Sequence, residues 1–501
     1  MGRKLLCCLL MLAFVVPVAL LNTQPANAQQ KVPKFDQGKC QFDVPKSLKV
    51  VCGTLTVLEQ HDVTDGPTIK LAVAIFKAAK TTKPKSDPIL YLDGGPGGHT
   101  LEAATFRYFD AFAGFAQDRD FIMFDQRGVG FSEPALDCPE TTKAINDNLG
   151  KQLTTKDQQA LSDKALVDCH ARLVKAGINL AAFNSAENAA DVEDLRVALG
   201  YKSWNLYGIS YGTRLALTVM RDYPDGLRSV ILDSTVPLQV DLYSKIPEDA
   251  NRAFNVFFDA CLKSLACNGA FPHLNKVFYD IVARLDTNPA TLSVKDPYTG
   301  KTRKVLLDGD TYVNILYHAL YSIQVIIILP KMIWQAHNSD FRLMELIMSK
   351  GKVEPSSVSE GMYFSVQCGE EVSFDDRDTL TNATTKFPKL ASAFDMANYY
   401  DICQDWNVPQ RPAIEKKAVT SAVPTLVLAG EYDPITPPGW GYLASQTLKH
   451  SYYLQFPGVG HGVSIGDTCP YRVTQSFLKD PSIRPDIGCM SFMGDPVFIT
   501  K

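Results

Sequence analysis

A serine between small residues, Gly208-Ile-Ser210-Tyr-Gly212, directly follows the apolar run at residues 204–207. Glycines two positions before and after Ser210 allow the chain to turn sharply from a strand into a helix, which pushes the hydroxyl out of the sheet. The motif therefore demands a strand, a tight bend and a helix in that order. Alone it is weak evidence, because chance produces it in roughly one chain of this length in ten.

The order of apolar runs along the chain predicts a sheet. Two partly alternating runs, residues 49–57 and 69–76, predict an antiparallel hairpin. Six shorter and nearly continuous apolar runs are typical of strands covered on both faces, at residues 89–92, 121–124, 204–207, 230–232, 425–429 and 452–456. Helical patterns separate them, for example at residues 186–199 and 211–223. This alternation predicts an α/β fold with a mostly parallel, eight-stranded sheet and helices on both faces.

Residues 237–417 interrupt that alternation with a largely helical pattern. We interpret them as a mainly helical cap inserted between a first core segment, residues 29–236, and a second, residues 418–501. The most apolar stretch of the cap, residues 319–334, is broken by Gln324, Pro330 and Lys331. It is therefore expected to be a buried or pocket-lining helix rather than a membrane span.

Two further residues occur in the order that a serine nucleophile requires. A serine hydroxyl needs a base to remove its proton, and the base needs a carboxylate to orient it. Asp433 lies just past the apolar run at 425–429, and His461 lies just past the run at 452–456. Both are expected at the carboxyl end of the parallel sheet, where Ser210 also emerges. The sequence thus predicts a triad of Ser210, Asp433 and His461, although each loop considered alone is also compatible with a simple turn.

A glycine-rich stretch, residues 94–98, immediately follows the predicted strand at 89–92. Residues without a β-carbon let backbone N–H groups approach a substrate oxygen, as the tetrahedral intermediates of acyl transfer require. We predict that the N–H groups of Gly95 and Tyr211 form the oxyanion hole. A tight surface turn is the alternative interpretation.

The N-terminus predicts export. Arg3 and Lys4 precede the apolar residues 5–21, and Ala26-Asn27-Ala28 then offers a cleavage site for signal peptidase. We expect residues 1–28 to be removed, which leaves a secreted or periplasmic protein without stable membrane insertion. An uncleaved anchor helix is the alternative, but the run is short for a span.

Ten cysteines remain after the predicted cleavage, and an even number behind an export signal predicts disulfides. The number of possible pairings is too large for the sequence to fix them, but pairing between neighbours closes only local loops. The expected pairs are Cys40–Cys52, Cys138–Cys169, Cys261–Cys267, Cys368–Cys403 and Cys469–Cys489. A metal site is not expected, because no Cys-x-x-Cys pair exists and the eight histidines are scattered. No cofactor is predicted.

The formal net charge of −4 provides no footprint for nucleic acid and no polybasic membrane patch. The segment Asp-Gln-Arg-Gly-Val-Gly-Phe-Ser at residues 125–132 has two permissive glycines but not the spacing of a nucleotide-binding loop. We expect it to be a scaffold loop with Arg127 in a buried ion pair.

Taken together, the glycine stretch at residues 94–98, the segment 125–132, the serine motif, the Asp433 loop and Gly460-His461-Gly462 resemble the α/β-hydrolases that include prolyl iminopeptidases and exported tripeptidyl aminopeptidases. The resemblance runs from about Cys52 to the C-terminus. It implies a helical cap over the site and removal of residues from a free N-terminus through an acyl-serine intermediate. One departure is Asp93, where the family usually has histidine before the glycines.

The resemblance leads to an expected function, an exported serine aminopeptidase whose partners are peptide substrates with free N-termini. Such an enzyme must bind an ammonium group, and Glu370 and Glu371 are our candidates because the cystine at Cys368 would hold them rigid. Two solvated surface glutamates are the alternative interpretation. A carboxylesterase or lipase with the same triad, and a non-catalytic binding protein on the same scaffold, remain as alternative functions. The sequence leaves the oligomeric state open.

Overall fold

Nine strands build the central sheet. The computed structural model describes residues 32–79, 85–103, 112–148, 151, 153–295, 300–350, 358–466 and 468–501; the predicted export signal lies outside them. The strands of the sheet are β1 Lys34–Gly38, β2 Val50–Leu58, β3 Thr68–Phe76, β4 Lys85–Leu92, β5 Arg119–Phe124, β6 Trp204–Ile209, β7 Leu227–Asp233, β10 Thr425–Gly430 and β11 Ser451–Phe456. A separate antiparallel hairpin consists of β8 Ala290–Lys295 and β9 Thr302–Leu307.

The strand order in the sheet is β1-β2-β3-β5-β4-β6-β7-β10-β11. The six strands from β5 to β11 in that order are all parallel, and the three at the other edge pair in antiparallel fashion. The carboxyl ends of the parallel strands consequently all lie at the same end of the sheet. A site can be assembled there from several loops. The α/β class with a mostly parallel sheet is confirmed.

The predicted count of eight strands is wrong by one. All eight predicted runs form strands, and the predicted hairpin pairs β2 with β3. The additional strand, β1, reads Lys-Phe-Asp-Gln-Gly and is largely exposed. Because it is a polar edge strand, it has none of the apolar signal by which buried strands are recognised.

Helices flank the sheet and fill the region between β7 and β10. The described helices before β10 are α1 Thr100–Ala103, α2 Pro139–Asp147, α3 Thr155–Lys175, α4 Ser185–Ala198, α5 Tyr211–Asp222, α6 Leu242–Lys263, α7 Leu265–Ala270, α8 Leu274–Thr287, α9 Gly309–Ala319, α10 Ile323–Ile326, α11 Leu329–His337, α12 Arg342–Lys350, α13 Glu360–Glu370, α14 Arg377–Thr385 and α15 Ala397–Trp406. After β10 come α16 Pro438–Ser445, α17 Val463–Gly466 and α18 Thr468–Lys479.

The predicted cap, residues 237–417, contains α6 to α15 and also the β8–β9 hairpin, which the sequence pattern did not reveal. The apolar stretch at 319–334 is not one helix. Its residues form the end of α9, the short α10 and the start of α11, where Pro330 occupies the first turn. Throughout the described residues, every helix is too short or too polar to cross a membrane.

Alternate residues of the central strands point to opposite faces, and both faces are buried. Leu90 and Leu206 belong to one apolar cluster, whereas Ile89 and Tyr207 belong to another on the opposite side. This burial on both faces explains why the central strands appear in the sequence as continuous apolar runs.

Arg127 forms the buried ion pair that the sequence predicts. Its Nε and Nη2 atoms each lie 2.7 Å from a carboxylate oxygen of Asp191, and neither side chain is exposed. Its Nη1 also donates to the carbonyls of Glu59 and Ala182 at 2.6 Å. The segment after β5 is thereby fixed against α4.

All five predicted disulfides are confirmed. The Cα–Cα distances within the pairs run from 5.0 to 5.7 Å, which is ordinary for a cystine. The Cys368–Cys403 bond joins α13 to α15, two helices that carry residues of the cavity described below.

We expect the Cys368–Cys403 disulfide to contribute more to the stability of the chain than the Cys261–Cys267 disulfide, which closes the shortest loop. Replacing Cys368 and Cys403 by serine opens a loop with a sequence separation of 35, and should lower the free energy of unfolding by about 4 kcal/mol. The matched control replaces Cys261 and Cys267, which are separated by 6 residues, with an expected loss of about 2 kcal/mol. Denaturant unfolding of both variants measures the difference, and an equal or reversed order would contradict the expectation.

Candidate active site

Ser210 lies on a strained turn between β6 and α5. Its backbone has φ of 58° and ψ of −126°, a conformation that non-glycine residues rarely adopt. The Ser210 N–H donates to the carbonyl of Asp233 at 3.1 Å, and the Ser210 carbonyl accepts from the N–H of Thr213 at 2.8 Å. These bonds hold the hydroxyl at the carboxyl edge of the sheet, where it lines a cavity.

The two glycines of the serine motif lie where the backbone leaves no room for a β-carbon. A β-carbon on Gly208 would lie 2.3 Å from the carbonyl oxygen of Gly212, and one on Gly212 would lie 2.0 Å from that of Leu92. The turn therefore packs backbone against backbone, and any larger residue would force β4, β6 and α5 apart.

His461 and Asp433 form a hydrogen-bonded pair. The Nδ1 atom of His461 lies 2.8 Å from Oδ2 of Asp433, whose carboxylate is fully buried. Asp433 also accepts from the hydroxyl and the N–H of Thr436, at 2.6 and 2.9 Å, and from the N–H of Ile435 at 3.0 Å. The carboxylate is thus fixed, and it directs the Nε2 atom of His461 away from itself.

The environment shifts the pKa values of both His461 and Asp433. Burial alone would lower the pKa of His461, but the charge of Asp433 and the hydrogen bond to it outweigh burial and raise that pKa above its ordinary value. Burial would raise the pKa of Asp433, yet His461 and Thr436 outweigh it and lower that pKa. A histidine that gains a proton easily beside an ionised carboxylate is suited to act as a general base.

Asp233, at the end of β7, connects the serine turn to the histidine loop. Its backbone carbonyl accepts from Ser210, as noted above, while its carboxylate accepts the N–H groups of Val463 and Ser464, each at 2.8 Å. The neighbouring Ser234 accepts the N–H of Gly462 at 2.9 Å. One fully buried residue therefore sets the distance between two loops that are about 250 residues apart in the sequence.

Within the described residues, the hydroxyl of Ser210 makes no hydrogen bond to the ring of His461. The loops themselves are adjacent, because a β-carbon built on Gly462 would lie 3.9 Å from Cγ2 of Ile209. Contacts between a nucleophile and its base are often long before a substrate is bound and shorten in the complex.

The glycine-rich loop lies beside the serine. A β-carbon on Gly94 would lie 3.1 Å from Cβ of Ser210, and Gly95, with φ of 113°, lines the same cavity as Ser210 and Tyr211. Tyr211 is the first residue of α5, so its N–H has no acceptor within the helix. The residues that we predict to form the oxyanion hole are thus brought together around one opening.

Asp93, the departure from the family pattern, stabilises this loop. Its Oδ1 accepts from the N–H of Gly94 and from the hydroxyl of Tyr91, both at 2.8 Å. Its backbone carbonyl accepts from the side chain of Gln126 at 3.1 Å. The carboxylate thus binds one donor of the loop and one of β4.

The cap contacts the two C-terminal loops directly. Arg252 on α6 donates to the carbonyls of Glu431, at 2.9 Å, and of Asp433. The carbonyl of Tyr321 accepts the N–H of His461 at 3.1 Å, and the two rings lie 4.9 Å apart between centroids. The position of the acid and of the histidine therefore depends on cap residues as well as on the sheet.

A cavity of about 980 Å³ lies in front of Ser210. Aromatic side chains of the cap form much of its wall, including Tyr243, Tyr317, Tyr363 and Tyr399. Its acidic lining residues are Asp163, Asp310, Glu371 and Asp395, and its lysine and arginine residues are Lys156 and Arg214. This volume accommodates several residues of a peptide.

The prediction for Glu370 needs correction. Its carboxylate accepts the N–H and the hydroxyl of Ser185, both at 2.6 Å, and Nε of Arg214 at 3.1 Å, so it is enclosed away from the cavity. Glu371 does line the cavity, but it is paired with Arg214 at 2.6 Å and Lys416 at 2.8 Å. These partners lie far from residues 370–371 in the sequence, so the local sequence pattern did not predict them.

Among the described residues, one group of side chains is close enough to share a metal ion, namely Cys138, Glu140 and Cys169. Its two sulfurs form a disulfide, so they do not act as ligands.

Two segments of the chain match known sequence families. The sequence profile of the alpha/beta hydrolase fold matches residues 87–290, and that of TAP-like proteins matches residues 389–489. The chain has the α/β-hydrolase fold, and its C-terminal part is similar to TAP-like proteins. The resemblance stated from its motifs is confirmed, and the relatives described next, which include a serine protease and a tripeptidyl aminopeptidase, show that it is a serine hydrolase.

The curated relatives of this α/β-hydrolase include peptidases. Serine protease Hip1 of Mycobacterium tuberculosis is 27% identical over 93% of both chains. Tripeptidyl aminopeptidase of Streptomyces lividans is 31% identical over 50% of this chain and 47% of its own length. A probable proline iminopeptidase of Streptomyces coelicolor is 26% identical over 30% of this chain and 33% of its own.

We expect Asp233→Asn to reduce kcat at least about tenfold. The carboxamide offers one acceptor where two N–H groups and a hydroxyl now bind, so the histidine loop should move relative to Ser210. Steady-state kinetics on a substrate of the wild-type enzyme measures the loss. Asp225→Asn, at an exposed position, is the control; wild-type kcat in Asp233→Asn would show that the loop is held by other means.

The pH profile should report the raised pKa of His461. Because the base must be neutral, kcat/KM should rise with pH through a value above 6.5, the ordinary pKa of histidine. Asp433→Asn removes the main cause of the shift, so the acid limb should move to lower pH while kcat falls by about 10⁴-fold. An acid limb that stays in place in this variant would contradict the assigned pairing.

Proposed function

We propose that this serine hydrolase is an exported aminopeptidase that cleaves peptide bonds near free N-termini through an acyl-serine intermediate. The observation that carries the proposal is the convergence of Ser210, Gly95 and Tyr211 on one large cavity beside the His461–Asp433 pair. The names of the relatives, serine protease, tripeptidyl aminopeptidase and proline iminopeptidase, support peptides as substrates.

In the proposed mechanism, Ser210 attacks the scissile carbonyl while His461 takes the proton of its hydroxyl. Asp433 keeps the ring oriented and stabilises its charged form. The N–H groups of Gly95 and Tyr211 bind the developing oxyanion, a contribution of roughly 3–4 kcal/mol for each donor. His461 then protonates the leaving amine, and water releases the acyl peptide by the reverse sequence of proton transfers.

The charge of the cavity supports binding of an ammonium group. Arg214 and Lys416 neutralise the buried pair Glu370 and Glu371, which leaves Asp163, Asp310 and Asp395 as acidic groups of the lining. Lys156 is the remaining cation among the lining lysine and arginine residues. We therefore propose that Asp163, Asp310 and Asp395 attract the free N-terminus of the substrate.

Export is supported by the five disulfides, which form and persist in oxidising compartments. We propose a secreted or periplasmic location, with residues 1–28 acting as the cleaved signal.

A substrate panel on the mature protein tests the proposal. It contains tripeptide and single-residue p-nitroanilides with free N-termini, the same compounds with acetylated N-termini, and simple p-nitrophenyl esters. We expect turnover of free peptides, little turnover of acetylated ones, and loss of activity by about 10⁴-fold or more in Ser210→Ala, which should fold normally.

Turnover of esters alone would favour the carboxylesterase alternative. Equal turnover of free and acetylated peptides would contradict recognition of the N-terminus. Retained activity in Ser210→Ala would contradict the nucleophile, and failure of every substrate would favour the non-catalytic alternative.

A further inference from the structure

A buried histidine directly follows the glycine-rich loop. The ring of His99 is 5% exposed and lies among three oxygen-bearing side chains. Its Nδ1 is 2.9 Å from Oε2 of Glu102, and its Nε2 is 3.0 Å from the hydroxyl of Ser359 and 3.3 Å from Oδ1 of Asp137. None of these residues belongs to the triad or the predicted oxyanion hole.

The chemistry of its partners favours the doubly protonated form of the ring. The hydroxyl of Ser359 donates its proton to Asp137, so the Ser359 oxygen accepts from Nε2 of His99. On the other side, the ionised carboxylate of Glu102 only accepts, so Nδ1 must donate as well. A ring that donates from both nitrogens is an imidazolium.

The surrounding charges stabilise this form. Burial alone would lower the pKa of His99, but hydrogen bonds to Asp137 and Glu102 outweigh it and raise that pKa to about 9. Asp125, at the end of the neighbouring strand β5, adds a further negative charge. Asp137 also interacts electrostatically with Arg172 of α3 and Glu360 of α13, which carry opposite charges.

Ser359 belongs to the cap and directly precedes α13. Its N–H donates to the carbonyl of Gly97 at 2.9 Å, and Val358 forms a β-bridge with Gly98. A β-carbon on Gly97 would lie 2.7 Å from the carbonyl oxygen of Ser359, so loop and cap are in direct backbone contact. A displacement of Ser359 would therefore move the glycine-rich loop with it.

The helix that begins here also lines the substrate cavity. Tyr363, Phe364 and Gln367 of α13 face it, and Gly95 lies two residues before Gly97 in the loop. His99 thus connects three parts of the molecule: the loop that supplies a predicted oxyanion donor, the segment around Asp137, and one wall of the cavity.

We propose that His99 is a positioning residue whose imidazolium clamps the glycine-rich loop to Asp137 and to the cap at Ser359, and so fixes the N–H of Gly95 for catalysis. The inference rests on the proposed function only for the last step, the effect on turnover. The clamp itself is a structural claim.

The test compares His99→Gln with the wild-type enzyme on whichever peptide anilide the wild type cleaves. The neutral carboxamide cannot donate to Glu102 and Ser359 as the ring does, so kcat should fall about 10- to 100-fold while KM changes less than twofold. In the wild type, kcat should also decline as pH rises through about 9, since the clamp loses its charge there. That limb should be absent from His99→Gln.

Two further variants sharpen the result. Ser359→Ala removes the cap side of the clamp, and in combination with His99→Gln it should add little, because residues that act as one unit are not additive. His450→Gln, the same substitution at an exposed histidine, should leave kcat and the pH profile unchanged. If His99→Gln does not fold, Ser359→Ala alone must show the loss of kcat.

Amide hydrogen exchange separates the clamp from the proposed function. Peptides covering residues 94–101 and 358–364 should exchange faster in His99→Gln than in wild type or His450→Gln, whether or not any substrate is turned over. Unchanged exchange, or wild-type kcat with an intact alkaline limb in His99→Gln, would overturn the inference. A wild-type enzyme that cleaves no peptide would overturn the proposed function and leave exchange to decide the clamp.

Discussion

The carboxylate of Asp233 holds the histidine loop in place, and the backbone carbonyl of the same residue holds the serine turn. Because β7 lies between β6 and β10 in the sheet, its end is the point from which both loops can be reached. Ser210 is bound through its N–H and the histidine loop through the N–H groups of Val463 and Ser464. The relation between Ser210 and His461 is therefore fixed by hydrogen bonds to one buried residue, and these bonds offset part of the cost of burying its carboxylate.

The predicted cap, residues 237–417, is hydrogen-bonded to these loops at several points. Arg252 binds the loop of Asp433, and the carbonyl of Tyr321 binds His461. Arg214, one helical turn after Ser210, pairs with Glu370 at the end of α13 and with Glu371, which follows that helix. These contacts are charged or backbone hydrogen bonds in buried surroundings, where an unmatched partner would be strongly destabilising. The wall of the cavity and the loops of Ser210, Asp433 and His461 are consequently connected, and we expect a change in the predicted cap to alter the geometry of the candidate site.

Much of this could be predicted because the signals are local. Buried parallel strands are continuous apolar runs, the glycines around Ser210 reflect a turn with no room for a β-carbon, and neighbouring cysteines close short loops. The polar edge strand β1 and the β8–β9 hairpin were not predicted, because neither has a distinctive apolar pattern. The roles of Asp233 and Glu370 were not predicted either, because they depend on burial and on partners more than 150 residues away in the sequence. Long-range pairing of buried charges leaves no mark on the adjacent sequence.

The central claim is that His461 activates Ser210. A fluorophosphonate reagent measures this directly, because it reacts covalently with an activated serine and mass spectrometry locates the adduct. We expect a single adduct on the peptide that contains Ser210, formed at least about a thousand times more slowly in a folded His461→Ala variant. An adduct on another residue, or equal labelling rates in the two proteins, would contradict it.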